Sequence, residues 1–203
     1  MKVFFDLWGR RMPPFFYSPL TSGQREGVRC RMEGHRFDES IILGGAAPCP
    51  WGGLRVLVCA PASFAEPGAP RPFPTTFWLL CPWLVRRAGE VESAGGVRAL
   101  EAWIMERGAE EWKAYGRLHA LLRLGLLGTR GRAALAAASA GLLEAVARGG
   151  AGGTRGDGVR VKCLHLQTAS LLALGTHPGA EWLREQGLTG DCGRRADCPL
   201  RRE

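Results

Sequence analysis

Leu54-Arg55-Val56-Leu57-Val58-Cys59 and, further on, Thr75-Thr76-Phe77-Trp78-Leu79-Leu80 are the two stretches on which the fold turns. Both are short, rich in branched and aromatic side chains, and bounded by turn formers, which is the pattern of a strand. Five prolines and a glycine between Pro61 and Pro74 mark the connection as a loop. The two strands are therefore expected to pair as a hairpin with a long connection. Cys81-Pro82 closes the second strand, and from that proline onward the apolar period changes from two to about 3.6.

The rest of the chain reads as helices. Pro82 suits a first helical turn, Leu84, Val85, Ala88 and Val91 share a face, and Gly95-Gly96 stops the run. Val97, Leu100 and Ile104 predict a second helix that ends at Gly108. Trp112, Tyr115, His119, Leu122 and Leu126, spaced three and four apart, predict a third. An alanine-rich fourth is expected over 132–148, a fifth from near Val161, and a last short one from Pro178 through Leu183. Gly149 to Gly158 holds six glycines and reads as a flexible loop. The expected fold is α+β and mainly helical: a small N-terminal β-hairpin packed beside five or six short helices.

Around that domain, placed at 36–188, lie two expected appendages. Residues 1–35 mix aromatics with Pro13-Pro14 and charges without sustained periodicity, so a poorly structured extension is expected, dispensable for folding as far as residue 31. Met32 is an in-frame methionine just before the domain, which raises an upstream extension or a mis-set start. Residues 189–203 read as a polar tail.

Composition bounds the function classes. A chain of 203 residues with 46% hydrophobic content can bury a core of its own. Arg123, Arg132 and Glu144 break the longest apolar runs, and Asp6 interrupts Val3-Phe4-Phe5, so neither a membrane span nor a signal-peptide core is expected and the location is read as cytoplasmic. Of the net +8, residues 1–31 carry +4, which leaves the body only mildly basic. Arginine outnumbers lysine 24 to 3, as suits a GC-rich genome, so a nucleic acid is not expected as the main partner and any such binding should be weak.

Seven cysteines, Cys30, Cys49, Cys59, Cys81, Cys163, Cys192 and Cys198, are too many to ignore and odd in number. In a cytoplasmic chain they point to metal binding, catalysis or burial rather than to disulfides. Three strings stand out: Cys49-Pro50-Trp51-Gly52, then Phe73-Pro74-Thr75 leading to Leu80-Cys81-Pro82, then Val161-Lys162-Cys163-Leu164-His165. In this order the chain resembles the bacterial domain-of-unknown-function family numbered 501 (DUF501), over about residues 45–188. Glu92 with Gly95-Gly96, and His119, fall at matching places. Near Thr176-His177-Pro178 the family usually has asparagine before the proline, where this chain has His177. The resemblance implies no activity.

Cys49, Cys81, Cys163 and His165 occupy the matching strings and form the principal metal-binding candidates, for zinc or an iron–sulfur cluster. No Cys-x-x-Cys pair exists, so such a site would join distant segments. Positions two apart on a helix point about 200° apart, so Cys163 and His165 can share an ion only if Cys163 lies at or before the first turn. There a thiolate would be favoured by the helix dipole and by Lys162, which gives the alternative of an enzyme with a reactive Cys163. Gly152, Gly153, Arg160 and Lys162 are anion-binding candidates for a phosphate-containing small molecule, the alternative being a plain linker. His119, Cys192 and Cys198 are secondary candidates, His119 also fitting a satisfied core histidine. Whether the chain is an enzyme stays open at this point.

Overall fold

A computed structural model of the protein describes residues 15–33, 38–66, 69–154 and 158–193. The fold is α+β and mainly helical, with a small antiparallel sheet near the N-terminal end. Strands β1 (Ile42–Ala46), β2 (Val56–Cys59) and β5 (Phe77–Leu79) form that sheet in the order β1-β2-β5. The expected hairpin is the β2–β5 pair, with Val56 opposite Leu79 and Val58 opposite Phe77. Two short strands, β3 (Ala62–Ser63) and β4 (Arg71–Pro72), pair within the long connection.

All four residues of β2 are buried. Its side chains alternate between faces, so a strand apolar at every position must be covered on both. Val56 and Val58 point with Phe77 and Leu79 into the main core, against helices α2 (Pro82–Ser93) and α6 (Leu164–Leu174). Leu57 and Cys59 face a second cluster completed by Leu20, Val28 and Met32.

That second cluster corrects the reading of the N-terminal segment. Residues 22–32 form helix α1 (Ser22–Met32), opened by a capping box in which Gln24 N–H donates to Thr21 Oγ1 (3.2 Å) and Thr21 N–H donates to Gln24 Oε1 (3.1 Å). Val28 and Met32, one turn apart, are buried beneath it. Before it, Ser18 bridges to Gly45 of β1 through two backbone hydrogen bonds. A Cβ at Gly44 would stand 2.3 Å from the Ser18 carbonyl, so this close approach needs glycine. The described part of the expected extension is thus the cover for one face of the sheet.

Helices α3 (Gly96–Arg107) and α4 (Ala109–Ala138) follow α2. Gly128, at φ +67° and ψ 179°, breaks α4. The expected helix over 132–148 is divided at Ser139, which ends α4 and caps α5 (Ala140–Arg148), its Oγ accepting from Gly141 N–H at 3.3 Å. The turn lets Leu135 and Val146 pack together with Ala62 as a third apolar cluster. The last helix is α7 (Ala180–Glu185). Among the described residues no helix is long and apolar enough to cross a membrane.

Candidate metal centre

Residues 159–163 carry no regular secondary structure, and α6 begins one residue after Cys163, which is its N-cap in an extended conformation at φ −164° and ψ 156°. The condition for Cys163 and His165 to face one point is met, because Cys163 lies before the first turn. Glu92, in the last turn of α2, reaches across to the same point. The ligand atoms of Glu92, Cys163 and His165 all lie within 4.8 Å of one another.

The hydrogen bonds define this group closely. Glu92 Oε1 accepts from the backbone N–H groups of Leu164 and His165, two of the N–H groups that a helix start leaves without partners. A carboxylate there also complements the positive end of the α6 dipole. His165 Nδ1 lies 3.0 Å from the same carboxylate oxygen, and Nε2 lies 3.1 Å from the Val85 carbonyl. Both ring nitrogens therefore face acceptors. With Nε2–H donating to Val85, Nδ1 turns a lone pair on a carboxylate unless a proton or a metal cation lies between them.

Beside this group is a cavity of about 420 Å³. Its walls are mainly apolar, with Phe77, Trp78, Leu80 and Val85 prominent, and Cys163, His165, Lys162 and Arg31 supply its polar edge. Burial raises the Cys163 thiol pKa above its ordinary value, and the Glu92 carboxylate raises it further. Lys162 and the N–H groups of Leu166 and His165 pull the other way without prevailing. The expected low-pKa thiolate is thus corrected: the helix start contributes as argued, but desolvation outweighs it.

The other candidates lie elsewhere. Neither Cys49 nor Cys81 belongs to the group. Cys49 Sγ accepts from Gly53 N–H at 3.2 Å within a tight turn, and Cys81 is the N-cap of α2, packed against the main core. Cys59 is buried in β2, where desolvation pushes its thiol up to about 12. Cys192 is half-buried outside the group, Cys30 is exposed, and Cys198 lies outside the described residues.

Gly153 N–H donates to Gly150 O, and at Gly152 (φ +71°) a Cβ would stand 2.4 Å from the Leu166 side chain. Both glycines serve close packing and a left-handed turn. Lys162 lines the cavity beside Cys163, whereas Arg160 lines a different cleft.

His119 is fully buried, with Nε2 2.8 Å from Ser170 Oγ, which also hydrogen-bonds the Tyr115 hydroxyl. It is a core histidine, its pKa depressed by burial to about 3. Sequence reasoning gave no role to Arg123, which is also buried and donates to the carbonyls of Val146 (3.2 Å), Gly150 (2.7 Å) and Gly149. This guanidinium clamps the start of the glycine loop to the C-terminal end of α5, where helix carbonyls favour a cation. An arginine one turn after His119 on the buried face of α4 was the available signal.

Residues 46–185 match the model of a family described as a protein of unknown function, DUF501. The chain belongs to the DUF501 family. No curated protein and no solved structure matches it. The resemblance read from the sequence implies an asparagine at the place of His177. His177 Nδ1 accepts from Gly179 N–H at 2.9 Å, two residues on, and an asparagine side-chain oxygen can take the same bond. The departure keeps the turn into α7. In this chain it adds a contact from Nε2 to Gln167 Oε1 at 2.8 Å.

Proposed function

We propose that this DUF501 protein binds a transition-metal ion, zinc by the chemistry of its ligands, through Glu92, Cys163 and His165. The observation that carries the reading is the pair of bonds on His165. A metal-binding histidine commonly donates its second ring N–H to a carbonyl or carboxylate, which fixes the tautomer. Nε2 stands 3.1 Å from Val85 O, so the tautomer that donates Nε2–H there leaves Nδ1 directed at Glu92, next to Cys163.

Tetrahedral coordination by one oxygen, one nitrogen and one sulfur sets donor separations of about 3.3–3.6 Å. His165 Nδ1 and Glu92 Oε1 already stand 3.0 Å apart, and Cys163 Sγ lies within 4.8 Å of both groups, so small side-chain adjustments bring the three onto one ion. Carboxylate, thiolate and imidazole are all zinc ligands. An iron–sulfur cluster is disfavoured because the group offers one thiolate where clusters are held mainly by several. Three protein ligands beside a cavity are the arrangement of a reactive site rather than a closed structural one. The open side faces mainly apolar walls edged by Lys162 and Arg31, which suits a small ligand with an apolar body and a negative group. Without metal, the hydrogen bonds that Glu92 makes to His165 and to the Leu164 and His165 backbone clasp α6 to α2.

Equilibrium dialysis of the reduced, anaerobically handled protein against zinc, and against cobalt as a spectroscopic substitute, tests the proposal. One equivalent should bind, cobalt should show thiolate charge-transfer absorption, and Cys163→Ser should abolish that band. Because the Cys163 thiol is raised and must ionise to bind, occupancy should fall as pH falls, with protons released on binding. A protein that takes up no metal at neutral or mildly alkaline pH, while remaining folded, refutes the assignment and leaves the clasp.

A further inference from the structure

A second cleft, of about 320 Å³, lies between α4, the end of α5 and the loop around Gly150 and Gly158. Four cationic side chains reach it: Lys113 and Arg117 from α4, Arg148 from α5 and Arg160 from the segment before α6. Its apolar floor includes Trp112 and Tyr115, and small residues such as Gly116 and Ala147 leave room above them. We propose that this cleft is a binding site for a small phosphomonoester, its phosphate held by Arg117, Arg148, Arg160 and Lys113 and its organic body seated against the Trp112 side.

Charge supports a phosphate dianion. Lys113 pairs with Glu110 at 2.6 Å and Arg148 with Glu144 at 2.8 Å, both exposed pairs along a helix. Arg117 also draws down the Glu110 carboxyl. The described lining of the cleft holds these four cations and no carboxylate, and a phosphomonoester carries about −1.5 to −2 at neutral pH. Exposed ion pairs of this kind are weak, so the two shared cations can turn to a ligand. Arg160 makes no ion pair with any described residue and is the strongest single grip. Three of the four cations are guanidinium groups, whose planar forks match phosphate oxygens two at a time.

The cleft also has a fixed wall. Arg123 clamps the carbonyls of Gly149 and Gly150 from behind, and Gly150 N–H donates to Thr154 O at 2.8 Å. The wall is thereby formed before any ligand arrives, which lowers the ordering cost of binding. The volume lies at the small end of the usual range for ligand pockets, about 300–1,000 Å³, and so suits a phosphorylated metabolite rather than a large cofactor. The site is independent of the proposed metal.

Calorimetric titration of the full chain with ribose 5-phosphate, inorganic phosphate, free ribose and a single-stranded oligonucleotide tests the proposal. Ribose 5-phosphate should bind more tightly than inorganic phosphate, and free ribose should not bind. Arg160→Gln and Arg117→Gln should each weaken ribose 5-phosphate about tenfold, as loss of a charge-assisted contact does. Arg98→Gln, an exposed substitution on α3, should change nothing; all three variants should keep the wild-type melting temperature. No binding of either phosphate ligand overturns the proposal. So does equal affinity for inorganic phosphate and ribose 5-phosphate, an equal loss in the Arg98 variant, or binding of the oligonucleotide alone.

Discussion

Lowering the pH from 7 to 5 should cost this protein about 4 kcal/mol of folding stability through two residues, His119 and His177. Both are buried, and burial depresses both pKa values from 6.5 to about 3. Their contacts agree with neutral rings. His177 Nδ1 accepts from Gly179 N–H, a bond that protonation at that nitrogen would break. His119 Nδ1 has no hydrogen-bond partner among the described residues, so a proton added there would gain no acceptor.

The sign follows from linkage: below 6.5 the unfolded chain takes up protons that the folded protein excludes, so stability falls as pH falls. For one histidine the change between pH 7 and 5 is the logarithm of the ratio of unfolded-state protonation factors, about 1.4, multiplied by about 1.36 kcal/mol. That is about 2 kcal/mol each. The contribution is fully present above 6.5 and drains away towards 3. Urea unfolding at the two pH values measures it, with His119→Gln and His177→Asn combined as the control. The double variant should lose little over the same interval, because few carboxylates titrate above pH 5. If wild type and double variant lose equal stability, the histidines are not held neutral in the core, and the reasoning fails.

Two further outcomes follow from the packing. Arg123→Met keeps much of the volume but leaves the Val146, Gly149 and Gly150 carbonyls without their donor; it should cost about 3 kcal/mol, read by chemical denaturation, and should loosen the phosphate cleft as well. Met32→Ala should cost about 2 kcal/mol, because Met32 is buried under the sheet; an unchanged melting temperature would mean that α1 does not cover β2 in solution.

The paired strands, the proline that opens α2 and the glycines that end α2 and α3 were legible in the sequence, because those elements are set by local chemistry. The start of α6 was not: a helix was expected from near Val161, and Cys163 before the first turn entered only as the condition for sharing an ion with His165, whereas α6 begins at Leu164. The capping box Thr21-x-x-Gln24 and the two-faced apolar run of β2 were also there to be read. Together they ask for a helical cover that the weak periodicity of residues 22–32 does not announce by itself. Ser139 hid inside an alanine-rich run whose period continues smoothly past it, and β1 hid behind Gly44-Gly45, where the close approach of Ser18 matters more than strand propensity.

What no reading of the chain alone could supply was which distant groups meet. Cys49 and Cys81 carry the same family signal as Cys163, yet the partner beside Cys163 and His165 is Glu92, because α2 crosses α6 at its start and a carboxylate there meets two open N–H groups. Lys113, Arg117, Arg148 and Arg160 are unremarkable among 27 cationic residues until the α4–α5 turn brings them round one cleft. Sequence determines elements through forces acting over a turn or a strand pair. The sites are determined by how those elements cross, and that is settled by burial of the core they share.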